Sequence, residues 1–132
     1  MRSLDHARGL LVKAEHDLQI ARIGLAHNDA PLDTVCFHLQ QTAEKLLKAA
    51  LTSRNIEYPV THDLVRLVDL AAEEFPELAG FREALSGFFP YAVRMRYDEA
   101  LYPTREEAVS ALLVVENLRQ VVYRLLPSEA RP

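Results

Sequence analysis

The sequence predicts an all-α fold, an antiparallel up-and-down bundle of about five helices, and three observations carry that reading. Apolar residues recur at helical spacing over long stretches, most clearly from Leu4 to His27 and from Val35 to Leu51. No stretch alternates polar and apolar residues with the period of two that a half-buried strand requires. Between the periodic stretches lie short segments rich in proline, asparagine and aspartate, residues that end helices or open turns. At 132 residues the chain forms one domain, 1–132, long enough to bury a continuous core without disulfides or a structural metal.

The first helix is a heptad. Leu4, Leu11, Leu18 and Leu25 alternate with Ala7, Ala14 and Ala21, and small alanines beside large leucines let a partner helix approach closely. Asn28, Asp29, Ala30 and Pro31 form a short connection, which makes the first two helices antiparallel neighbours. Pro31 suits the first turn of the second helix, where a missing N–H costs little. That helix runs to about Arg54, and Tyr58 and Pro59 in the following segment disfavour its continuation. Thr61 is placed to cap a third helix, whose buried face is Leu64, Leu67, Val68, Ala71, Ala72 and Phe75. Pro76 ends or restarts it. A fourth helix takes Leu78, Phe81, Leu85, Phe88 and Phe89 as its core face, and Gly87 with Pro90 marks a kink or break before Tyr91.

Thr104 and Glu107 announce the last helix as a capping-box pair, each side chain satisfying the other's backbone N–H, and the helix continues to about Leu126. One apolar stripe on it is Ala108, Ala111, Leu112, Val115, Val122 and Leu126. A second is Val114, Leu118, Val121 and Leu125. Two stripes are more than a small bundle needs, which points to burial against another subunit.

Composition narrows the function. A net charge of −4 argues against a protein that coats nucleic acid through a broad basic surface, while leaving room for a local basic cleft. There is no Walker-type run, no GxGxxG and no paired CxxC, and four glycines leave little material for a phosphate-cradling loop. Cys36, the single cysteine, lies near the apolar face of its helix and reads as a small core residue rather than a nucleophile. His6, His16, His27, His38 and His62 are scattered without metal-ligand spacing, so no metal or cofactor is expected. The longest uncharged apolar run is too short to span a bilayer, and the N-terminal stretch reaches Asp5 without an apolar leader core, so the expected location is the cytoplasm.

The chemistry gathers on Val35 to Leu51. Placed at helical spacing, Val35, Leu39, Ala43, Leu46 and Ala50 share one face, which builds a core, and His38, Gln41, Glu44, Lys45 and Lys48 share the other. Glu44 and Lys48, four apart in the favourable order, are expected to support an exposed helix by about 0.2 to 0.5 kcal/mol. Phe37 stands in line with Gln41, Glu44 and Lys48, and a lone aromatic there points to contact beyond the helix itself.

Three pieces then line up: FHLQQTAEKLLKAAL at 37–51, THDL at 61–64 and RMRYD at 94–98. In this order and spacing they resemble the HEPN family, and the resemblance covers nearly the whole chain. It implies a helical bundle that forms a homodimer beside a minimal nucleotidyltransferase protein. In many such pairs the HEPN partner is a toxin that cleaves RNA without metal, and the nucleotidyltransferase is its antitoxin. Cleaving members carry an arginine followed, after four to six residues, by a histidine. Here those positions are Glu99, Ala100 and Leu101 counted from Arg94, and Leu101, Tyr102 and Pro103 counted from Arg96, so the histidine is missing. Moving the proton of a 2′-hydroxyl needs a group that titrates near neutrality, and an unperturbed phenol, at about 10, is a poor substitute.

The resemblance therefore implies a dimeric binding module that associates with the nucleotidyltransferase and contacts a nucleotide or RNA. A ribonuclease and a purely structural dimerisation bundle are the alternatives. The candidate binding residues are Gln41, Lys45, Lys48, His62, Arg94, Arg96 and Tyr97. Arg94 and Arg96 would diverge by about 200° on a continuous helix, so that one can pair with Asp98 or Glu99 while the other presents its guanidinium to a phosphate. Tyr97 and Tyr102 read as stacking platforms for a base or as buried rings with satisfied hydroxyls. His62 reads as the residue that fixes the start of the third helix, or as a proton donor to a phosphate held at that helix N-terminus. Lys45 and Lys48 read as cations of a nucleotide groove or as solvated lysines.

Overall fold

The computed structural model describes residues 2–93, 97–99 and 102–132. Thirteen of the 22 residues of α2 (Leu32–Ser53) are buried, more than one apolar face supplies, so this helix runs through the middle of the molecule. Against it lies α1 (Arg2–Leu25), whose Ala7, Leu11, Ala14, Leu18 and Ala21 are all buried as the heptad predicts. The two helices approach closely at the hairpin end. A Cβ on Gly24 would lie 2.7 Å from Val35 Cγ2, a separation that no larger residue tolerates without movement.

After α2 come α3 (Leu64–Glu74), a 3₁₀ turn (Pro76–Phe81), α4 (Arg82–Ser86) and α5 (Phe89–Ala92); then, beyond the segment around residues 94–101, α6 (Arg105–Leu125) and a 3₁₀ turn (Ser128–Ala130). No strand occurs among the described residues. α6 lies beside both α2 and α1. Arg22 pairs with Glu116 at 3.1 Å, and Glu15 accepts hydrogen bonds from Arg119 and, at 2.7 Å, from the Tyr123 hydroxyl. Because the earlier residue of α1 meets the later residues of α6, these two helices are antiparallel. Arg105 closes the same end by donating to the carbonyls of Leu25, at 2.9 Å, and His27, groups that the end of α1 leaves without helical partners.

Several boundaries differ from the sequence expectation. Pro31 is the N-cap of α2 rather than part of its first turn, and the helix ends at Ser53 by a different device. Asn55 adopts the left-handed conformation at φ 60°, which lets its own N–H reach Thr52 O and that of Ile56 reach Leu51 O, before Tyr58 or Pro59 is reached. The cap of α3 is Asp63, not Thr61. Its carboxylate accepts from the N–H groups of Val65 at 3.0 Å and Arg66 at 3.3 Å, while the Thr61 hydroxyl accepts from Asp63 N–H. The expected fourth helix is broken into the 3₁₀ turn and two short helices. Pro76 opens the turn, the Gly87 N–H closes on Ala84 O, and Pro90 fits the first turn of α5. Leu78, Leu85 and Phe88 are buried as expected, but Phe89 is 64% exposed.

The capping box of α6 is present in both directions. Its second apolar stripe is used within the chain: Leu118 is fully buried, and Val114, Val121 and Leu125 pack half-buried against the core. The apolar residues that α6 leaves exposed are Val109 and Leu113, which belong to neither stripe. No helix among the described residues is long and apolar enough to cross a membrane.

Candidate functional site

With α1, α3 and α6 packed around it, α2 keeps one narrow strip toward solvent, on which Phe37, Gln41, Lys45 and Lys48 are half-buried. A carboxylate flanks the strip on each side. On the α1 side Asp17 receives Nδ1 of His38 at 2.8 Å through one oxygen and the Lys45 ammonium through the other. On the α3 side Glu44 lies 4% exposed and accepts from Lys48 at 2.9 Å, His62 Nδ1 at 2.8 Å and Gln40 Nε2 at 3.2 Å.

The Glu44 cluster extends further. Gln40, fully buried, also donates to the carbonyl of His62 at 3.1 Å and accepts from Gln41 Nε2 at 2.8 Å. Lys48 stands 5.0 Å from the ring centre of Tyr58, whose ring stacks on His6 and whose hydroxyl lies 3.0 Å from His6 Nε2. Burial alone would raise the Glu44 carboxyl, but the hydrogen bonds from Lys48, His62 and Gln40, with the Lys48 charge, more than offset it and hold the group below its ordinary range. Glu44 is therefore a buried anion with its acceptor positions filled. Among the described residues, no fully enclosed side-chain nitrogen or oxygen lacks a partner.

This arrangement corrects the reading of Glu44 and Lys48 as an exposed helical pair. Glu44 follows Leu51 around the helix by about 20°, at the margin of the apolar arc, where helical phase alone cannot separate a solvated acid from a buried one. The network instead staples the loop at 61–64 to α2, which explains why the QQxxEKxLK and THDL segments occur together in one chain. His62 has the contacts of the first of its two readings, holding the loop before α3 to Glu44, and Asp63 already accepts from N–H groups at the start of α3 that a phosphate there would need.

The other candidates are distributed differently. Gln41, Lys45, Lys48 and His62 lie along or beside the α2 strip, each with an intramolecular partner. Tyr97 is 77% exposed, and Arg94 and Arg96 lie outside the described residues. The described residues on both sides of these arginines are anchored at the start of α2. Tyr91 hydrogen-bonds Cys36, and the Tyr102 hydroxyl accepts from Leu32 N–H at 2.9 Å, a role that sequence reasoning missed. Burial pushes the Cys36 thiol up to about 12, against the effect of the Tyr91 hydrogen bond, so the cysteine is an inert core group. Also missed were Asp17, Gln40 and Tyr58, each of which has a partner distant in sequence. Among the described residues, no group of three or more His, Cys, Asp or Glu side chains gathers in a way that could hold a metal ion.

These features define a small all-α bundle organised on one buried helix, with a polar network on that helix and an arginine-bearing segment joined to its start on both sides. The chain belongs to the HEPN domain family, whose model matches residues 7–125, nearly its whole length. No curated protein matches the chain, and no solved structure does.

Proposed function

We propose that this HEPN protein is a dimeric binding module, a homodimer that associates with a minimal nucleotidyltransferase protein in a toxin–antitoxin-like pair. It contacts a nucleotide or RNA phosphate through the Arg94–Tyr97 segment and the solvent-facing strip of α2. Family membership supports a nucleotide- or RNA-related role. The observation that carries the finer reading is the condition of the α2 cations. Lys45 is neutralised by Asp17 and Lys48 by Glu44, so neither offers an unopposed charge to a phosphate. Arg94 and Arg96 are the better candidates, because a guanidinium matches the paired oxygens of a phosphate. The missing histidine after either arginine weighs against cleavage.

The test is incubation of the purified protein with end-labelled RNA in EDTA, beside an Arg94→Ala/Arg96→Ala variant prepared identically. The expected result is binding without cleavage, weakened about tenfold or more in the variant by the loss of two phosphate contacts. Co-expression with a cognate nucleotidyltransferase is expected to yield a complex. Cleavage by the wild type alone would overturn the reading, as would the absence of both the complex and any nucleotide or RNA binding.

One observation favours the ribonuclease as a second reading. His62 Nδ1 donates to a buried carboxylate while its side chain is 61% exposed, and an imidazole oriented in this way is suited to general acid–base work. On that reading, cleavage survives chelation and disappears in both the arginine variant and His62→Gln.

A further inference from the structure

At the far end of α2 from the Leu32 contact, a cleft of about 530 Å³ opens between the first turns of α1 and the turn that follows Ser53. Thr52 lines it. The residue is only 7% exposed, yet its hydroxyl makes no hydrogen bond among the described residues. Since every fully enclosed side-chain oxygen among those residues has a partner, the Thr52 hydroxyl is not fully enclosed, and the cleft is the open space that Thr52 lines.

The other walls share one chemistry. Ser3, Asn55 and Glu57 line the cleft, and their side chains also make no hydrogen bond among the described residues. Asn55 is held there at φ 60°, a conformation costly for most residues, which fixes the turn carrying Glu57. The stacked rings of His6 and Tyr58 form a flat wall. Among the described residues no lysine or arginine lines the cleft; Lys48, 5.0 Å from the Tyr58 ring centre, is paired with Glu44, and the full charge among the described lining residues is the Glu57 carboxylate.

We infer that this cleft binds a small organic cation, an ammonium or guanidinium on a short alkyl chain, arriving free or as the side chain of a partner protein. Glu57 supplies the counter-charge. The oxygens of Thr52, Ser3 and Asn55 accept from its N–H groups, and the alkyl chain lies along the rings. A phosphate meets a carboxylate here and no cation among the described lining residues. An apolar ligand leaves the Thr52 hydroxyl unsatisfied. The inference does not depend on the proposed role of Arg94 and Arg96.

The test follows backbone amide shifts of the full chain by NMR during titration with agmatine, and separately with the blocked tripeptide acetyl-Gly-Arg-Gly-amide. Guanosine monophosphate serves as an anionic control. Saturable shifts confined to Ser3, His6 and residues 52–58 are expected with at least one cation. Agmatine alone identifies a free amine as the source, the tripeptide alone a partner's side chain, and both together a site that reads only the cationic group. Thr52→Val, which keeps the shape and removes the hydroxyl, is expected to weaken binding about fivefold, the value of one hydrogen bond. Glu57→Gln, at an exposed position that does not threaten folding, is expected to weaken it about threefold and remove most of its salt dependence. The Arg94→Ala/Arg96→Ala variant is expected to bind as the wild type does. Failure of both cations to saturate, binding untouched by either cleft substitution, or stronger occupation by the anionic control would overturn the inference.

Discussion

Asp17 and Glu44 flank the same strip of α2 with the same chemistry, each carboxylate holding one histidine and one lysine, and yet they are different kinds of structure. At Asp17 both partners keep about a quarter of their side-chain surface in water, 27% for His38 and 26% for Lys45. At Glu44 the acid is 6% exposed at its side chain, against 13% for Asp17, Lys48 is 13% exposed, and a fully buried glutamine completes the shell, with only His62 open to solvent at 61%. Water can replace a lost partner at the first site and cannot readily do so for Lys48 and Gln40 at the second. An ion pair on a helix is therefore a surface decoration or a piece of the core according to its burial, and the residue types alone do not decide.

The largest expected effect is that of Glu44→Ala, which leaves the half-buried Lys48 without its acceptor and the buried Gln40 without one of its two, and costs about 3 to 5 kcal/mol in denaturant unfolding at neutral pH. Leu46→Ala, at a fully buried apolar position on the same helix, is the benchmark at about 2 to 5 kcal/mol. If Glu44→Ala costs less than about 1 kcal/mol beside it, Glu44 behaves like a solvated acid and the contrast collapses. A Leu46→Ala cost below about 1 kcal/mol would instead mean that the helix face is wrong.

Acid sharpens the contrast. The Glu44 carboxyl is held below its ordinary value in the folded protein, so the stability it contributes is fully present above that value, 4.5, and is lost as the pH falls through it toward the folded value. Glu15 is lowered too: burial raises it, and the Arg119 and Tyr123 hydrogen bonds with the charges of Arg119 and Arg22 outweigh burial, so it adds loss in the same range. Urea midpoints of the wild type are therefore expected to fall in acid, with a shallower fall in Glu44→Gln. Equal slopes would remove Glu44 from the account. The smallest effect belongs to Asp17→Ala, about 1 kcal/mol or less by the same unfolding measurement at neutral pH. A larger loss would put the two carboxylates in one class.

The features legible in the sequence are those set by neighbours along the chain. The heptad of α1, the Thr104–Glu107 capping box and the apolar face of α2 need only local spacing, and each stands where the spacing puts it. The cap of α3 is read from the sequence as Thr61 and stands at Asp63, an equally capable residue type two positions on. The choice depends on how the loop lies on α2, which Gln40 helps to fix through the His62 carbonyl. The site shows the same division. Glu44, Lys45, Lys48 and His62 are conspicuous as residue types, but their partners are reached across separations of 28 positions for Asp17 to Lys45 and 18 for Glu44 to His62. Only packing of the helices reveals that two sequence motifs are two sides of one hydrogen-bonded network.

The bond from the Leu32 amide to the Tyr102 hydroxyl spans 70 positions and joins the first residue of α2 to the stretch that follows Arg94 and Arg96. An amide in the first turn of a helix has no carbonyl acceptor within that helix, so its protection from solvent deuterium rests on this phenol. A ligand that draws Tyr102 away from Leu32 would lengthen the bond and speed isotope exchange at Leu32, while amides in the middle of α2 kept their rates. One that tightens this contact would slow it. The start of the buried helix thereby works as a gauge of strain at Tyr102, readable without any label on the phenol itself.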